Sequence, residues 1–408
     1  MNIDAHIQVE RIGSTRPHMN IAVVTETYPP DINGVAHTLS KIVDGLQRNG
    51  HVLWLIRPKH QASDTATRTD RYQEILVKGL PIPFYKQLRM GLPAKRELTR
   101  LWSRQRPDIV HIATEGPLGW SALQVAKKLK LPVSTDFRTN FHAYSQHYGI
   151  GWLSGAIMAY LKKFHNAAQA TMVPTSQLQG ELDKVGFKHL SVVPRGVDTD
   201  VFSPEHRNDA LRTSWGADSD TRVLLYVGRL APEKNLKLVI QTYNNLKRSH
   251  PDIKLVLVGD GPMRAGLEKD NPEVIFAGFQ TGPSLAQHYA SADIFLFASQ
   301  TETFGNVTLE AMASRLAIVA FHHAAAGELI QSGVNGMLAR THSSLDFEMG
   351  VQTLLNNQAL MQHVAEQACL SARALSWRMI VERTEGVFHR VMHQHTQAFT
   401  PHTAPATA

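Results

Sequence analysis

The sequence predicts an α/β protein built from two doubly wound domains, and three observations carry that reading. Its 408 residues are too many for one compact core and suggest two domains of about 200 residues each. Short apolar runs alternate with helical patterns, as in parallel sheets with crossover helices. The series also restarts, with one strand–loop–helix unit opening near Asn20 and a second near Val223.

The first strand is Asn20 to Thr25, ended by the Pro29–Pro30 turn. A helix from about Val35 to Gln47 follows Gly34. Its apolar positions Val35, Leu39, Ile42, Val43 and Leu46 share one face, and Gly50 suits its C-terminal end. His51 to Ile56 is the next strand, which completes a β-α-β start and implies parallel pairing. Ile109–Ile112, Val133–Thr135 and Thr171–Val173 read as further buried strands. The second half repeats the pattern with strands at Val223–Val227, Lys254–Val258, Val274–Phe276, Ile294–Leu296 and Ala317–Ala320. A hinge is expected near Pro194-Arg195-Gly196-Val197, and a last helix from Trp377 to about Val391. The first dozen residues and the Thr/Ala/Pro-rich end from about Gln394 are expected to be disordered.

Composition narrows the class. No run of about 18 apolar residues occurs, so no membrane-spanning helix is expected. The N-terminus lacks the apolar core of a secretory signal, and the single cysteine, Cys369, has no internal disulfide partner, so a cytosolic protein is the simplest reading. Charge is unevenly placed, with 25 Lys+Arg against 14 Asp+Glu up to Arg195, and 17 against 21 from Asp198. A basic first half suits nucleic acid, an anionic membrane or an acidic substrate, although charge alone favours a solvated basic face.

The segment Glu302-Thr303-Phe304-Gly305-Asn306-Val307-Thr308-Leu309-Glu310 follows a strand and opens a helix near Asn306. Free N–H groups and a positive dipole end at such a start suit a diphosphate. Glu302 can accept from sugar hydroxyls, and Glu310, one turn on, from a ribose. Two carboxylates at one spacing are otherwise a cap and a solvated helix face. Gly228-Arg229-Leu230-Ala231-Pro232-Glu233-Lys234-Asn235 leaves the domain's first strand. There Arg229 and Lys234 can neutralise a leaving diphosphate without a metal, or be two exposed cations in a turn. Gly259-Asp260-Gly261 permits close backbone approach to a ligand, or simply a turn. The adjacent His322 and His323 do not share a face and lack further ligands at metal spacing, so no metal is expected.

Together GRLAPEKN, LVGDGP, VIFAGF and ETFGNVTLEAMAS closely resemble the retaining glycosyltransferases of glycosyltransferase family four, from about Asn20 to Val391. The resemblance implies the GT-B fold, two Rossmann-like doubly wound domains facing an interdomain cleft. The divisions it suggests are a flexible N-terminus (1–18), an acceptor-side domain (19–196), a nucleotide-sugar domain (197–375), a helix crossing back (376–393) and a disordered tail (394–408). It implies that Arg229 and Lys234 bind the donor diphosphate, Glu302 contacts the transferred sugar, Glu310 binds the ribose, and the backbone around Phe276 and Gly278 holds the base. Gly34 would lie beside the phosphates. Gly228, Gly259, Asp260, Gly261, Phe304, Gly305, Asn306 and Val307 complete the implied donor site.

TDFRTNFHAYSQHYGIGWL and VVPRGVDTDVFSP resemble the branch with diacylglycerol glycosyltransferases and related mannosyltransferases. That branch implies a UDP- or GDP-sugar donor as substrate, no cofactor, and a membrane lipid or glycan acceptor. The basic, apolar-interleaved stretch Lys86 to Arg106 would suit an anionic membrane surface, on the inner face of the cytoplasmic membrane, or be an ordinary packed basic helix. The sequence sets no oligomeric state. It departs from the family at Arg138, where a His normally touches the donor sugar; His142 lies four residues on. An Arg cannot act as a base, yet the departing phosphate oxygen can take the acceptor proton. Arg138 and His142 therefore join Arg229, Lys234 and Glu302 as candidate catalytic residues, with Arg138 alternatively an ion-pair partner of Asp136 or Glu115. Three further readings are a sugar-nucleotide epimerase, a silent sugar-nucleotide binder and a basic nucleic-acid-binding protein; no helix-turn-helix, zinc or RNA-recognition signature supports the last.

Overall fold

In the computed structural model, residues 17–399 are described, except 32, 62, 83, 84, 139–153 and 303. Seven parallel strands form the first sheet: β1 (Asn20–Val24), β2 (Val52–Pro58), β3 (Tyr72–Val77), β6 (Ile109–Ile112), β7 (Val133–Asp136), β8 (Ala170–Val173) and β9 (Leu190–Val192). Their order across the sheet is β3-β2-β1-β6-β7-β8-β9. Both faces are covered, which is why β1 reads as a continuous apolar run and not an alternating one. Ile21 and Val23 pack against the helices Gly34–Arg48 and Trp377–Phe399. Ala22 and Val24 pack on the other face with Leu98, Trp102 and Leu118.

The second sheet holds β10 (Arg222–Val227), β11 (Ile253–Val258), β12 (Ile275–Gly278), β13 (Ile294–Phe297), β14 (Ala317–Phe321) and β15 (Met337–Ala339), in the order β12-β11-β10-β13-β14-β15. All its pairings are parallel. Tyr226, Tyr243, Phe295, Phe321 and Phe347 are fully buried in its core.

Strand order reverses between β1 and β6 in one sheet and between β10 and β13 in the other. Ligands of doubly wound folds lie beyond the carboxyl ends of strands at such reversals. The segments after β10 and β13 are those that carry Arg229, Lys234 and Glu302; the segment after β1 carries Gly34.

The chain leaves the first sheet at Pro194–Val197. Val197 N–H donates to Leu375 O at 3.0 Å, so the two connections between the halves run side by side. The last helix then packs on Gly34–Arg48. It runs to Phe399, past the Gln394 boundary that composition suggests. Lys86 to Arg106 holds a strand and a helix: β5 (Tyr85–Gly91) pairs antiparallel with β4 (Gly79–Ile82), and the helix Lys95–Arg104 follows. Leu98 and Trp102 of that helix are buried, whereas Lys95, Arg96, Arg100 and Arg104 are exposed. No helix among the described residues is long and apolar enough to cross a membrane.

Candidate active site

Asn33 caps the helix Gly34–Arg48. Its side-chain oxygen accepts from Val35 N–H (3.1 Å) and Ala36 N–H (2.9 Å), and its amide donates to Thr27, which is tied to Asp31. The cap aims this helix start at the other domain. A Cβ built on Gly34 would meet, as its nearest heavy atom, the Asn306 side-chain nitrogen at 3.9 Å. Asn306 itself opens the helix Asn306–Ala313, behind Gly305 in the left-handed region (φ 89°) and with no side-chain cap. Two helix N-termini, one from each domain, thus meet at the cleft; Asn33 takes Val35 and Ala36 N–H of the first, whereas the second has no side-chain cap, and both dipoles favour an anion there.

Lys234 and Glu302 form an ion pair across the β10/β13 reversal. Gln300 N–H reaches Glu233 O at 3.5 Å, and Glu302 N–H reaches His323 Nε2 at 3.4 Å, so both loops are braced. Arg229 is mostly exposed and lies 3.5 Å from Glu233. Glu310 accepts from the hydroxyl of buried Tyr289 at 2.9 Å. Burial pushes its carboxyl up to about 7, against the opposing hydrogen bond.

The glycines have a structural task. A Cβ on Gly259 would sit 1.9 Å from Gly228 O, and one on Gly261 would sit 2.5 Å from Leu230 O. All three of Gly228, Gly259 and Gly261 have positive φ. They let the loops after β10 and β11 lie against each other, fastened by Leu230 N–H to Asp260 O at 2.9 Å. Asp260 is turned to Gly261 N–H and Arg264. Gly278 accepts from Gly259 N–H at 2.8 Å. Phe276 and Val307 are half-buried, and Phe304 belongs to the core at 4% exposure, where it holds the loop.

On the other domain, Arg138 is buried and ion-paired to Asp136; Glu115 is 3.3 Å from His165 instead. His142 lies outside the described residues. Sequence reasoning passed over Tyr289 and Glu26. Tyr289 reads as a plain core aromatic. Glu26 follows β1, accepts from Leu118 N–H at 2.8 Å, and is pushed up to about 7 by burial. Neither carries a local motif that would mark it.

The two doubly wound sheets, the reversal of strand order in each and the Lys234–Glu302 pair at the second reversal are the arrangement of a nucleotide-sugar-dependent glycosyltransferase of the GT-B class. Sequence models of "Glycosyl transferases group 1" and "Glycosyltransferase Family 4" match residues 207–370 and 32–201. A GDP-mannose-dependent alpha-mannosyltransferase of Mycobacterium tuberculosis is 31% identical over 389 residues, covering 93% of this chain and 98% of the relative. An alpha-monoglucosyldiacylglycerol synthase of Streptococcus pneumoniae is 26% identical over 333 residues, covering 78% and 75%. The solved structure of Anabaena HepE in complex with UDP and glucose superposes with a TM-score of 0.69 at 18% identity, covering 91% of this chain and all of that one. The chain belongs to glycosyltransferase family four. The epimerase reading finds no support among these relatives.

Proposed function

We propose that the enzyme transfers a hexose, with retention, from a GDP- or UDP-sugar to a membrane lipid or glycan without a metal cofactor. One observation carries the donor site: Gly34 faces Asn306 across the cleft, beside the Lys234–Glu302 pair. A diphosphate would lie beside the two helix starts, with Lys234 and Arg229 supplying the charge a metal would otherwise give. Glu302 then exchanges part of its Lys234 contact for sugar hydroxyls. The sugar–phosphate C–O bond breaks, the bond to the acceptor oxygen forms on the same face, and the acceptor proton passes to the departing phosphate oxygen. The full-length mannosyltransferase relative makes GDP-mannose the first donor to test.

The lipid acceptor is supported by the glycolipid synthase relative and by the basic exposed face of Lys95–Arg104. Because Leu98 and Trp102 are spent on the core, that helix meets an anionic surface of the inner leaflet by charge and without insertion. A thermal-shift screen of UDP- and GDP-sugars, then an acceptor assay on extracted membranes in EDTA, tests the reading. Stabilisation by one donor series and chelator-resistant transfer are expected; no stabilisation by any nucleotide sugar, or activity that needs Mg²⁺, contradicts it.

A further inference from the structure

Asp136, Arg138 and Arg195 form a buried charge cluster where the end of β7 meets the hinge. Arg138 is 6% exposed, as is Arg195. Arg138 Nη2 binds Asp136, and Arg195 Nη1 stands 3.8 Å from the same carboxylate. Two guanidiniums therefore share one acid. Burial, together with the charge of Arg138 and against that of Asp136, pushes Arg195 down to about 9. Burial also pushes neighbouring His111 down to about 4, so it is neutral at pH 7 and leaves the balance unchanged. The cluster keeps one positive charge in excess among the described residues. Arg138 also has Nε and Nη1 buried with no hydrogen-bond partner among the described residues.

A buried cluster with one cation in excess and N–H groups unmet among its described neighbours is costly and persists where a ligand completes it. Arg138 stands two residues past the carboxyl end of β7, on the edge of the sheet where ligands bind. The geometry points to an oxyanion subsite here: Arg138, backed by Arg195, takes a carboxylate, sulfonate or phosphate carried by a substrate, with Asp136 as the positioning residue that fixes the Arg138 fork. The inference rests on the glycosyltransferase site above and adds to it a preference for an acidic substrate.

The oxyanion can sit on the donor sugar or on the acceptor headgroup, and two arms separate these sources. In the first, melting temperature is followed with UDP-glucose against UDP-glucuronate, and GDP-mannose against GDP-mannuronate. In the second, transfer from the donor that stabilises best is measured to glucosyl- and glucuronosyl-diacylglycerol. The subsite predicts at least about tenfold preference for the acidic member in one arm, falling within about twofold in Arg138→Gln. Arg138→Lys keeps a charge for Asp136 but lacks Nε and Nη1; it serves if the Gln variant does not fold, and the same fall is expected. Equal response to acidic and neutral members in both arms overturns the subsite, as does a preference that survives either substitution. Absence of stabilisation by every nucleotide and nucleotide sugar would instead overturn the donor site itself.

Discussion

Lys234 and Glu302 pair with each other, so each compensates the other's charge in the site. Removing either leaves its partner unmatched in a partly buried position. Glu302→Gln is expected to lower kcat by roughly 10- to 150-fold, the equivalent of a charge-assisted hydrogen bond of about 1.5–3 kcal/mol. Circular dichroism should remain native. Glu310 makes a second prediction, through pH. Its carboxyl moves from 4.5 to about 7 on folding, so the folded state holds a proton that the unfolded state has released across that interval. Its contribution to stability is fully present below about 4.5 and is lost as pH rises through about 7. His37, His111 and His288, all pushed down by burial, run the other way. The informative quantity is therefore the difference between Glu310→Gln and the parent. Denaturant titrations should show the variant gaining on the parent from pH 5 to pH 8; a constant gap would show that Glu310 does not hold the proton.

At the scale of elements, the loops after β10 and β11 are locked by glycines. Gly259→Ala forces a Cβ onto Gly228 O at a positive φ, and should cost about 1–3 kcal/mol and weaken nucleotide binding with it. Gly266→Ala, in the exposed helix Arg264–Asp270 with nothing within 4 Å, should instead stabilise by up to about 1 kcal/mol. Urea unfolding of both variants checks the contrast. The same glycines show how far sequence carries. GRLAPEKN and LVGDGP were legible as loops at strand ends, yet that they seat each other depends on backbone approach between segments about thirty residues apart. Buried strands such as β1, β11 and β14 stood out as apolar runs because both their faces are covered. β3 did not, since as an edge strand only Glu74 and Val77 of its six residues are buried, and the β4–β5 pair carries polar residues and prolines. Lys234 and Glu302 were legible as candidates from their motifs. Arg195 and Tyr289 were not, because what marks them is a partner 59 or 21 residues away.

For the whole molecule, the C-terminal helix ties the second half of the chain to the first sheet. Gly45, in the helix Gly34–Arg48, has no room for a methyl group: its Cβ would lie 2.3 Å from Cγ2 of buried Val381. Gly45→Ala should destabilise by about 1–3 kcal/mol, and Val381→Ala in the same chain should recover part of it, a coupling that a double-mutant cycle in urea reads directly. The halves also meet through Lys41 with Asp198 at 3.0 Å, and through Glu328, which accepts from Ser176 N–H and Oγ–H at the start of the helix Ser176–Lys184. These contacts set the distance between Gly34 and Asn306, and hence whether both helix starts can reach one diphosphate. Calorimetric affinities for UDP against UMP and GDP against GMP, in the parent and in Lys234→Ala, test that most directly. A seat for the diphosphate predicts that one diphosphate outranks its monophosphate by at least about tenfold, and that Lys234→Ala removes most of the difference. Equal affinity for mono- and diphosphates in both series, or a preference untouched by Lys234→Ala, would contradict it.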